Sequence, residues 1–491
     1  MSDGGRRIEP VDVLIVGAGI SGIGGAYHLT QQCPGTSFVV LEGMETFGGT
    51  WSTHRYPGIR SDSDLFTFGY RFKPWTGAPI ASGEEILRYL GEVIEENDLG
   101  QHIRYQRRVT AAVWSSDEAR WTIDVTRTDT GEELRFRAGF VWMCQGYYRH
   151  AEGYTPEWEG LDDFEGEVIH PQTWPEDTDL SGQRVVVIGS GATAATLIPN
   201  IADACDHVTM LQRSPTYFVV RPNSNELADQ LRALEIPDEW THEIVRRQLI
   251  KMQSDVARMS IESPELVRAF LLDAIRPLLP DGFDVDKHFG PSYRPWQQRL
   301  ALLPDGDLFT AIREGKADVV TDQIVRFTKK GIELASGEHL DADVVITATG
   351  FDLSILGDID FMIDGQPLDF AETVTYRGLM FTGIPNLAYV FGYFRASWTL
   401  RADLISDFVC RLLNHMRERG ATTVVPVLDR PDMPLGPWVD PDNFNPGYLT
   451  RSMHLMPKQG DTEPWRLLHD YEEEKRILPE ADLEDGTLQF R

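Results

Sequence analysis

Two glycine-rich turns in this sequence have the spacing of diphosphate-binding turns. The first contains Gly17, Gly19 and Gly22 and follows the apolar run 13–16. In such a turn the first glycine allows the sharp bend, the second lets a diphosphate approach the backbone, and the third lets the next helix pack on the strand. Glu42 follows Gly22 by twenty residues, at the position where an acidic side chain hydrogen-bonds ribose hydroxyls.

The second turn contains Gly189 and Gly191, with Ala194 at the third position, after the apolar run 185–188. Nineteen positions after Ala194 stands Arg213, whose positive charge suits a ribose 2′-phosphate. The two turns therefore predict one site for FAD and one for NADPH, and a chain that binds both can pass hydride between them. For either motif taken alone, a glycine-rich turn without a ligand is the alternative.

A third pattern lies in the segment between the two turns and combines aromatic residues with histidine and proline. It reads Phe164-x-Gly166-x-x-x-His170-x-x-x-Trp174-Pro175. As residue types, a buried indole and an imidazole bonded to backbone favour a contact between two nucleotide-binding units over direct chemistry. This connector is therefore expected to hold the two nucleotide-binding units together.

A fourth pattern, in residues 48–62, runs from Gly48-Gly49-Thr-Trp51 to Asp62. Together with the pattern of residues 164–175, it resembles the type I Baeyer–Villiger monooxygenases, and every position that the two family patterns specify is matched. The resemblance extends over nearly the whole chain. Residues 55–64 and 294–309 look most similar to the subgroup of ethionamide-activating and long-chain alkane- and ketone-oxidising monooxygenases.

The resemblance implies a reaction and its cofactors. In that family NADPH reduces FAD, dioxygen adds to give a peroxyflavin, and the peroxide attacks a ketone to give an ester or a lactone. A small apolar ketone is the implied substrate, and sulfoxidation of thioethers is an expected side activity. The residues expected to bind the two cofactors are Gly17, Gly19, Ser21, Gly22, Glu42, Gly49, Trp51, Asp62, Gly189, Gly191, Ala192, Thr193, Arg213, Ser214 and Gly350.

The resemblance also implies a cation beside the flavin. The peroxide and the tetrahedral adduct are both anionic, and a guanidinium stabilises them while staying charged at any working pH. By resemblance this residue is Arg299, and Asp62 is the carboxylate that orients it. Without the family, Arg299 would be taken for an ordinary arginine on a helix surface.

The sequence departs from the family immediately before Arg299. Many members have a lysine there that helps to bind the 2′-phosphate, whereas this chain has Gln298. Phosphate binding is then expected to depend on Arg213 and Ser214, and selectivity for NADPH is expected to be weaker.

The motifs also bear on three other functions. A flavin monooxygenase that oxidises nitrogen or sulfur centres is disfavoured by the two complete patterns, but hydroxylation of long-chain alkanes stays open. A flavoprotein sensor would not need Arg299 together with Asp62. A disulfide reductase needs a cysteine pair beside the flavin, and no two of the four cysteines have C-x-x-C spacing: Cys33, Cys144, Cys205 and Cys410.

Composition excludes several further classes of function. The 491 residues include 46 basic and 76 acidic side chains, and the net charge of −30 repels nucleic acid. The cysteine spacing offers no zinc site, so no metal is expected. No uninterrupted apolar stretch reaches the roughly 18 residues that cross a bilayer. The sequence is therefore expected to be that of a cytoplasmic protein.

These motifs must be positioned by an α/β fold with two Rossmann-like domains. The FAD-binding domain is expected to be discontinuous, with one part in residues 1–146 and the other in residues 335–491. A connector of residues 147–182 precedes the inserted NADPH-binding domain of residues 183–334. Within the latter, a helical insertion is expected at about residues 223–290.

Two local patterns add detail to this organisation. The buried run 343–347 before Gly350 is expected to return the chain to the FAD-binding domain. A helix is expected to start at Ser263-Pro264, the favoured cap and first residue. Its apolar face is expected to pack against the domain, with contact with a membrane surface or an oily substrate as the alternative: Leu266, Val267, Phe270, Leu271, Ala274, Ile275 and Leu278.

Overall fold

The first sheet starts in the first third of the chain, in a computed structural model that describes residues 8–491. Its strands there are β1 (Ile8–Val16), β2 (Phe38–Leu41), β3 (Ile103–Arg104), β4 (Arg107–Ser115), β5 (Arg120–Arg127) and β6 (Glu133–Met143). β1 pairs in parallel with β2 on one side and β6 on the other. β4, β5 and β6 form an antiparallel meander.

The helices of this segment are α1 (Ile20–Gln32), α2 (Thr50–Thr53), α3 (Leu65–Phe68) and α4 (Gly83–Glu96). α4 starts with a capping box, in which Ser82 accepts the N–H of Glu85 and Glu85 accepts the N–H of Ser82. α1 starts instead at the glycine turn, and its N-cap Gly19 provides no side-chain hydrogen bond. The N–H groups at the start of α1 are therefore left for another acceptor.

A second sheet follows, again with parallel strands. The strands of the middle segment are β7 (Glu167–Ile169), β8 (Arg184–Ile188), β9 (His207–Gln212), β10 (Phe218–Arg221), β11 (Ala301–Pro304), β12 (Ala317–Thr321), β13 (Ile324–Thr328), β14 (Gly331–Leu334), β15 (His339–Asp341) and β16 (Val344–Thr347). Within residues 8–491 the second sheet has the order β12-β9-β8-β16-β7. β10 pairs with β11, and β13 to β15 form an antiparallel sheet.

The part of the protein built on the first sheet is called the first unit, and the part built on the second sheet is called the second unit. The position of β16 corrects the expectation that all of residues 335–491 belong to the first unit. β16 lies between β8 and β7 in the second sheet, parallel to both, and the chain leaves this sheet only after Thr347. β7, which the sequence placed in a connector, is the edge strand of the same sheet. All four residues of β16 are buried, so either sheet could have accepted the strand and its own pattern did not name the partner.

The helices of the middle segment are α5 (Ala192–Ile201), α6 (Glu226–Ala233), α7 (Asp238–Glu262), α8 (Pro264–Ile275), α9 (Val285–Phe289) and α10 (Asp307–Arg313). α8 starts at Pro264, as the sequence predicted, although Ser263 makes no side-chain cap. Its predicted packing face is only half right. Val267 is buried against the core of the second unit, whereas Leu266 and Phe270 are 61% and 72% exposed.

A buried arginine anchors α7 to the first unit. The guanidinium of Arg246 donates to the carbonyl oxygens of Phe66, Thr67 and Gly69, at 3.0, 3.1 and 2.8 Å. These carbonyls lie at the C-terminal end of α3, where a helix carries partial negative charge. The helical region of the middle segment is thus fixed to the first unit.

The last segment returns to the first sheet. Its strands are β17 (Asp360–Ile363), β18 (Gln366–Pro367), β19 (Thr375–Tyr376), β20 (Met380–Phe381), β21 (Leu387–Tyr389), β22 (Val424–Pro426), β23 (Leu435–Pro437), β24 (Lys458–Gly460) and β25 (Leu488–Phe490). β17 pairs with β4, and β21 pairs with β6. Its helices are α11 (Trp398–Arg419), α12 (Gly447–Ser452) and α13 (Tyr471–Glu480). No helix within residues 8–491 is long and apolar enough to span a membrane.

A buried ionic cluster joins α1 to α11. The ring nitrogens of His28 lie 3.3 Å from Asp403 and 3.2 Å from Asp407. Burial disfavours the charged imidazole, but hydrogen bonds to the two carboxylates outweigh it and raise the pKa of His28 to about 9. The cluster therefore holds the helix that follows the first glycine turn.

This raised pKa predicts a pH-dependent contribution to stability. The contribution is complete below the ordinary histidine pKa of 6.5 and is lost as the pH rises through about 9. A shift of this size corresponds to a contribution on the order of 3 kcal/mol. The Tm of His28→Gln should lie well below that of the wild type at pH 6 and approach it at pH 9.5. The exposed His454→Gln serves as the control, and a difference that stays constant with pH would contradict the assignment.

Candidate active site

The first glycine turn is closed by contacts that leave no room for a side chain. Gly17 has φ +100°, and a Cβ there would lie 2.7 Å from the carbonyl oxygen of Cys144, just after β6. A Cβ on Gly22 would lie 1.8 Å from the carbonyl oxygen of Gly17. The packing of α1 on its own turn therefore requires glycine at both positions.

Glu42 stands beside this turn and is held by it. The residue follows β2 and is buried. Its Oε2 accepts the N–H of Ala18 at 2.7 Å, and its Oε1 accepts the N–H of Met44 at 2.9 Å. The carboxylate is thus fixed in orientation while it lines a large cavity.

This first cavity has a volume of about 640 Å³ and follows the carboxyl ends of β1, β2 and β6. Its wall includes Gly19 at the start of α1 and Gly49, where a Cβ would come within 3.2 Å of the Gly19 Cα. An uncapped helix start, bare glycine backbone and a fixed carboxylate suit the diphosphate and ribose of a dinucleotide. The donor set of the first cavity therefore fits FAD.

Two more predicted residues, Ser21 and Trp51, line the same cavity. Ser21 Oγ accepts the indole N–H of Trp398 at 2.7 Å, which ties the start of α11 to α1. The Trp51 ring packs edge-on against Phe68 at 5.7 Å between centroids. Both contacts fix parts of the cavity wall.

The second glycine turn differs from the first in its free space. Gly189 has φ +134°, and a Cβ there would lie 2.3 Å from the carbonyl oxygen of Ala348. Gly191 caps α5, and a Cβ on it would meet no atom within 4 Å. The backbone at Gly191, and at Ala192 and Thr193 in the first turn of α5, is therefore open to a ligand.

Arg213 stands at the end of β9, next to this open backbone. It is exposed, and within residues 8–491 it forms no ion pair. The carbonyl oxygen of Ser214 accepts the hydroxyl of Ser190 at 3.0 Å, which holds the loop to the glycine turn. A free guanidinium and an open helix start together fit a phosphorylated dinucleotide such as NADPH.

Asp62 and Arg299 form a two-point ion pair. Arg299 Nη2 lies 2.9 Å from Asp62 Oδ1, and Nε lies 2.8 Å from Oδ2. The charge of Asp62 raises the pKa of Arg299 above its already high value, so the guanidinium stays protonated. Both side chains line the first cavity and also a second one.

The second cavity has a volume of about 740 Å³ and lies beneath the helices of the middle segment. Leu249 and Met252 of α7 face it from one side, and Leu302 of β11 and Phe394 face it from others. Mostly apolar walls of this size suit a small organic molecule. The cavity therefore offers an apolar space that reaches Arg299.

Two tyrosines lie beside this ion pair, and the sequence motifs predicted neither of them. Tyr147 lines the first cavity and stacks on Trp398 at 5.2 Å, and Tyr448 lies 6.5 Å from Tyr147 between ring centroids. Burial raises the pKa of both phenols, and Arg299 partly opposes this, so both keep their protons as donors. Tyr147 could have been identified from sequence, because it follows Gln145-Gly146 at the end of a buried strand. No sequence pattern indicates Tyr448.

The residues of the pattern 164–175 take up contacts between elements. A Cβ on Gly166 would lie 2.4 Å from the carbonyl oxygen of Asp343, so glycine permits β7 to pair with β16. His170 packs on Gly153, where a Cβ would come within 1.9 Å of the ring. Its Nδ1 accepts the N–H of Gln172 at 3.1 Å. The connector is thus pinned to the second sheet.

Two of the remaining members of the pattern also pack against neighbouring elements, and the third lies at the surface. Phe164 packs on Phe327 at 5.9 Å, Trp174 packs on the core of the second unit, and Pro175 is exposed. Among the described residues, no member of the pattern lines either cavity. Gly350, with φ +101°, turns the chain out of the second sheet, and its carbonyl accepts the N–H of Tyr154.

The matches to known proteins fit this arrangement. A flavin-binding monooxygenase-like family matches residues 79–231, and an NAD(P)-binding Rossmann-like domain matches residues 15–76. The chain is 48% identical over 484 residues to the FAD-containing monooxygenase EthA of Mycolicibacterium smegmatis, covering 98% of this chain and 97% of the relative. It belongs to the FAD-containing monooxygenases. A probable FAD-binding monooxygenase, AlmA of Acinetobacter baylyi, is 44% identical, with 98% and 96% covered.

A solved structure supports the fold of this FAD-containing monooxygenase. An oxidised steroid monooxygenase bound to NADP superposes with a TM-score of 0.76 at 24% identity, covering 98% of this chain and 99% of that one. At this identity the likeness shows the fold alone. The predicted α/β class is confirmed by this fold, and the predicted cofactor FAD is confirmed by the family to which the chain belongs.

The open space at Gly191 predicts a selective defect. Gly191→Ala should fold normally and keep its FAD, because a Cβ there meets no protein atom. It should weaken NADP⁺ binding by about tenfold or more, about 1.4 kcal/mol, because the methyl group blocks the approach of the diphosphate. Tm, flavin absorbance and calorimetric titration with NADP⁺ measure the three quantities.

Gly436→Ala is the matched control, because it too has free space for a Cβ but lies in β23. Gly22→Ala should instead lose FAD, since its Cβ cannot be placed. Normal NADP⁺ affinity in Gly191→Ala would show that the second turn does not hold the dinucleotide.

Proposed function

We propose that this monooxygenase inserts one oxygen atom of dioxygen beside the carbonyl of a small apolar ketone and gives an ester or a lactone. Thioether sulfoxidation is the proposed side activity. The Asp62–Arg299 ion pair carries the proposal, because it lines both cavities and puts a permanent cation between them. Oxygen insertion beside a carbonyl builds negative charge on oxygen, which a fixed guanidinium stabilises.

In this proposal bound FAD, once reduced by NADPH, supplies the activation of dioxygen. Arg299 holds the developing oxyanion, and Asp62 keeps the guanidinium in one orientation through its two bonds, at 2.8 and 2.9 Å. Tyr147 and Tyr448 stay protonated near the same guanidinium and can donate to oxygen. Arg299 is thus the proposed catalytic residue, and Asp62 positions it.

The residues of the two nucleotide sites also have proposed roles. Glu42 accepts from the FAD ribose, while the backbone at Gly19 and Gly49 passes beside the diphosphate. The start of α5 takes the NADPH diphosphate, and Arg213 with Ser214 takes the 2′-phosphate. Support comes from the fixed carboxylate of Glu42 and from the unpaired guanidinium of Arg213.

Product analysis under ¹⁸O₂ tests the proposed reaction. A linear methyl ketone given with NADPH should yield an ester that carries one ¹⁸O atom, in the position between the former carbonyl carbon and the migrated carbon. Mass spectrometry of the ester and of its hydrolysis products locates that atom. Labelled hydroxyketone in place of ester would support the hydroxylase alternative, and NADPH oxidation with no labelled product would support neither.

A further inference from the structure

Two arginines share one asparagine beside the second cavity. Arg294 Nη2 donates to the backbone oxygen and to Oδ1 of Asn443, at 2.9 and 3.0 Å. Arg395 Nη2 donates to the same two oxygens, with 2.7 Å to Oδ1. The shared acceptors bring the two guanidinium groups side by side.

Neither positive charge has an ionic partner in the part of the chain that the structure describes. Within residues 8–491, no carboxylate lies within 4.0 Å of Arg294 or Arg395. The charge of Asp440 acts on Arg294 from a greater distance and raises its pKa slightly. The absence is notable in a chain with 76 acidic residues and only 46 basic ones. Two like charges repel at this separation, and a neutral amide does not cancel them.

The surroundings strengthen the repulsion. Burial and the neighbouring Arg294 lower the pKa of Arg395 to about 10. Burial also lowers the pKa of Arg294, with a smaller opposite effect from Asp440. A nearby anion would reverse both effects, because it stabilises the charged form of each arginine.

Arg395 brings the pair to the edge of the second cavity, although Arg294 does not itself line it. Arg395 lines the second cavity together with Arg299 and Trp296. Its Nε donates to the Trp296 backbone oxygen at 3.2 Å, which leaves Nη1 without a hydrogen bond within the described residues. Trp296 itself has φ +62°, a strained conformation for a residue with a side chain, of the kind that clusters at ligand sites.

We propose that Arg294 and Arg395 form a binding site for an anionic group, a carboxylate or a phosphate, of a molecule that enters the second cavity. Guanidinium groups are suited to both anions because their planar forks bind two oxygens at once. A carboxylate would belong to the substrate, which would then be a ketone that carries an acid group on its apolar chain, such as an oxo acid, and a phosphate would belong to NADPH, in addition to its proposed contacts with Arg213 and the start of α5. Only the carboxylate source depends on the proposed ketone oxidation.

Binding measurements on the FAD-loaded protein test this without turnover. Four probes are titrated by calorimetry: a long-chain oxo acid, its methyl ester, NADP⁺ and NAD⁺. The variants Arg294→Gln and Arg395→Gln remove one charge each, and Arg395→Lys keeps the charge without the fork. Arg88→Gln on α4 is the control, because that arginine is exposed and pairs with Glu84.

A carboxylate site predicts that the oxo acid loses about tenfold to a hundredfold in affinity in both Gln variants, while its methyl ester is unaffected. A phosphate site predicts the same loss for NADP⁺, shared by NAD⁺ if the diphosphate is the group bound. Arg395→Lys should retain part of the affinity for the anion concerned.

Unchanged affinity for all four probes would overturn the proposal. So would equal losses for the oxo acid and its ester together with reduced FAD content, because the pair would then clamp the segment around Asn443. The Tm of the ligand-free protein gives an independent readout. Arg294→Gln should leave it unchanged or raise it, since one of two repelling charges is gone, and a lower Tm would again indicate a clamp.

Discussion

The ion pair of Asp62 and Arg299 is the constraint around which the rest of the structure is arranged. Asp62 comes from the first unit, between α2 and α3, whereas Arg299 comes from the middle segment, just before β11. Its two bonds, at 2.8 and 2.9 Å, require both segments to be held in register. Arg246 contributes to this, because it fixes α7 to the carbonyls of α3, close in sequence to Asp62.

The two glycine turns show how one local design serves two sites. At the first glycine of each turn, Gly17 and Gly189, a side chain would clash with backbone, whereas at the second glycine a Cβ would lie 3.7 Å from Gly49 in the first turn and would meet no atom within 4 Å in the second. The residue after the next strand differs as well, since Glu42 is buried and bonded on both oxygens, whereas Arg213 is exposed and has no ion pair among residues 8–491. Buried carboxylate and free guanidinium are what distinguish ribose hydroxyls from a 2′-phosphate.

The parts of this fold that local chemistry determines could be predicted from sequence. The glycine turns depend on contacts within one strand-turn-helix unit, and the start of α8 depends on Pro264 alone. The sequence indicated the wrong sheet for β16, because four buried residues, three of them apolar, fit the centre of either one. The pairing of Arg294 with Arg395 spans a long stretch of chain, and no spacing rule relates residues that meet only through tertiary packing. Leu266 and Phe270 fit the apolar period of α8, but they lie on a part of the helix that the core does not cover.

We propose that Asp62 acts on oxygen transfer only through Arg299. This dependence is tested most directly by a double-mutant cycle on ester formed per NADPH consumed, with Asp62→Asn, Arg299→Gln and the double variant, each checked for full FAD content. Arg299→Gln is expected to release hydrogen peroxide in place of most of the ester, Asp62→Asn to do so less, and the double variant to match Arg299→Gln within error. A double variant that is worse by the product of the two single losses would show that Asp62 acts independently, and near-normal ester yield in Arg299→Gln would place the cation elsewhere.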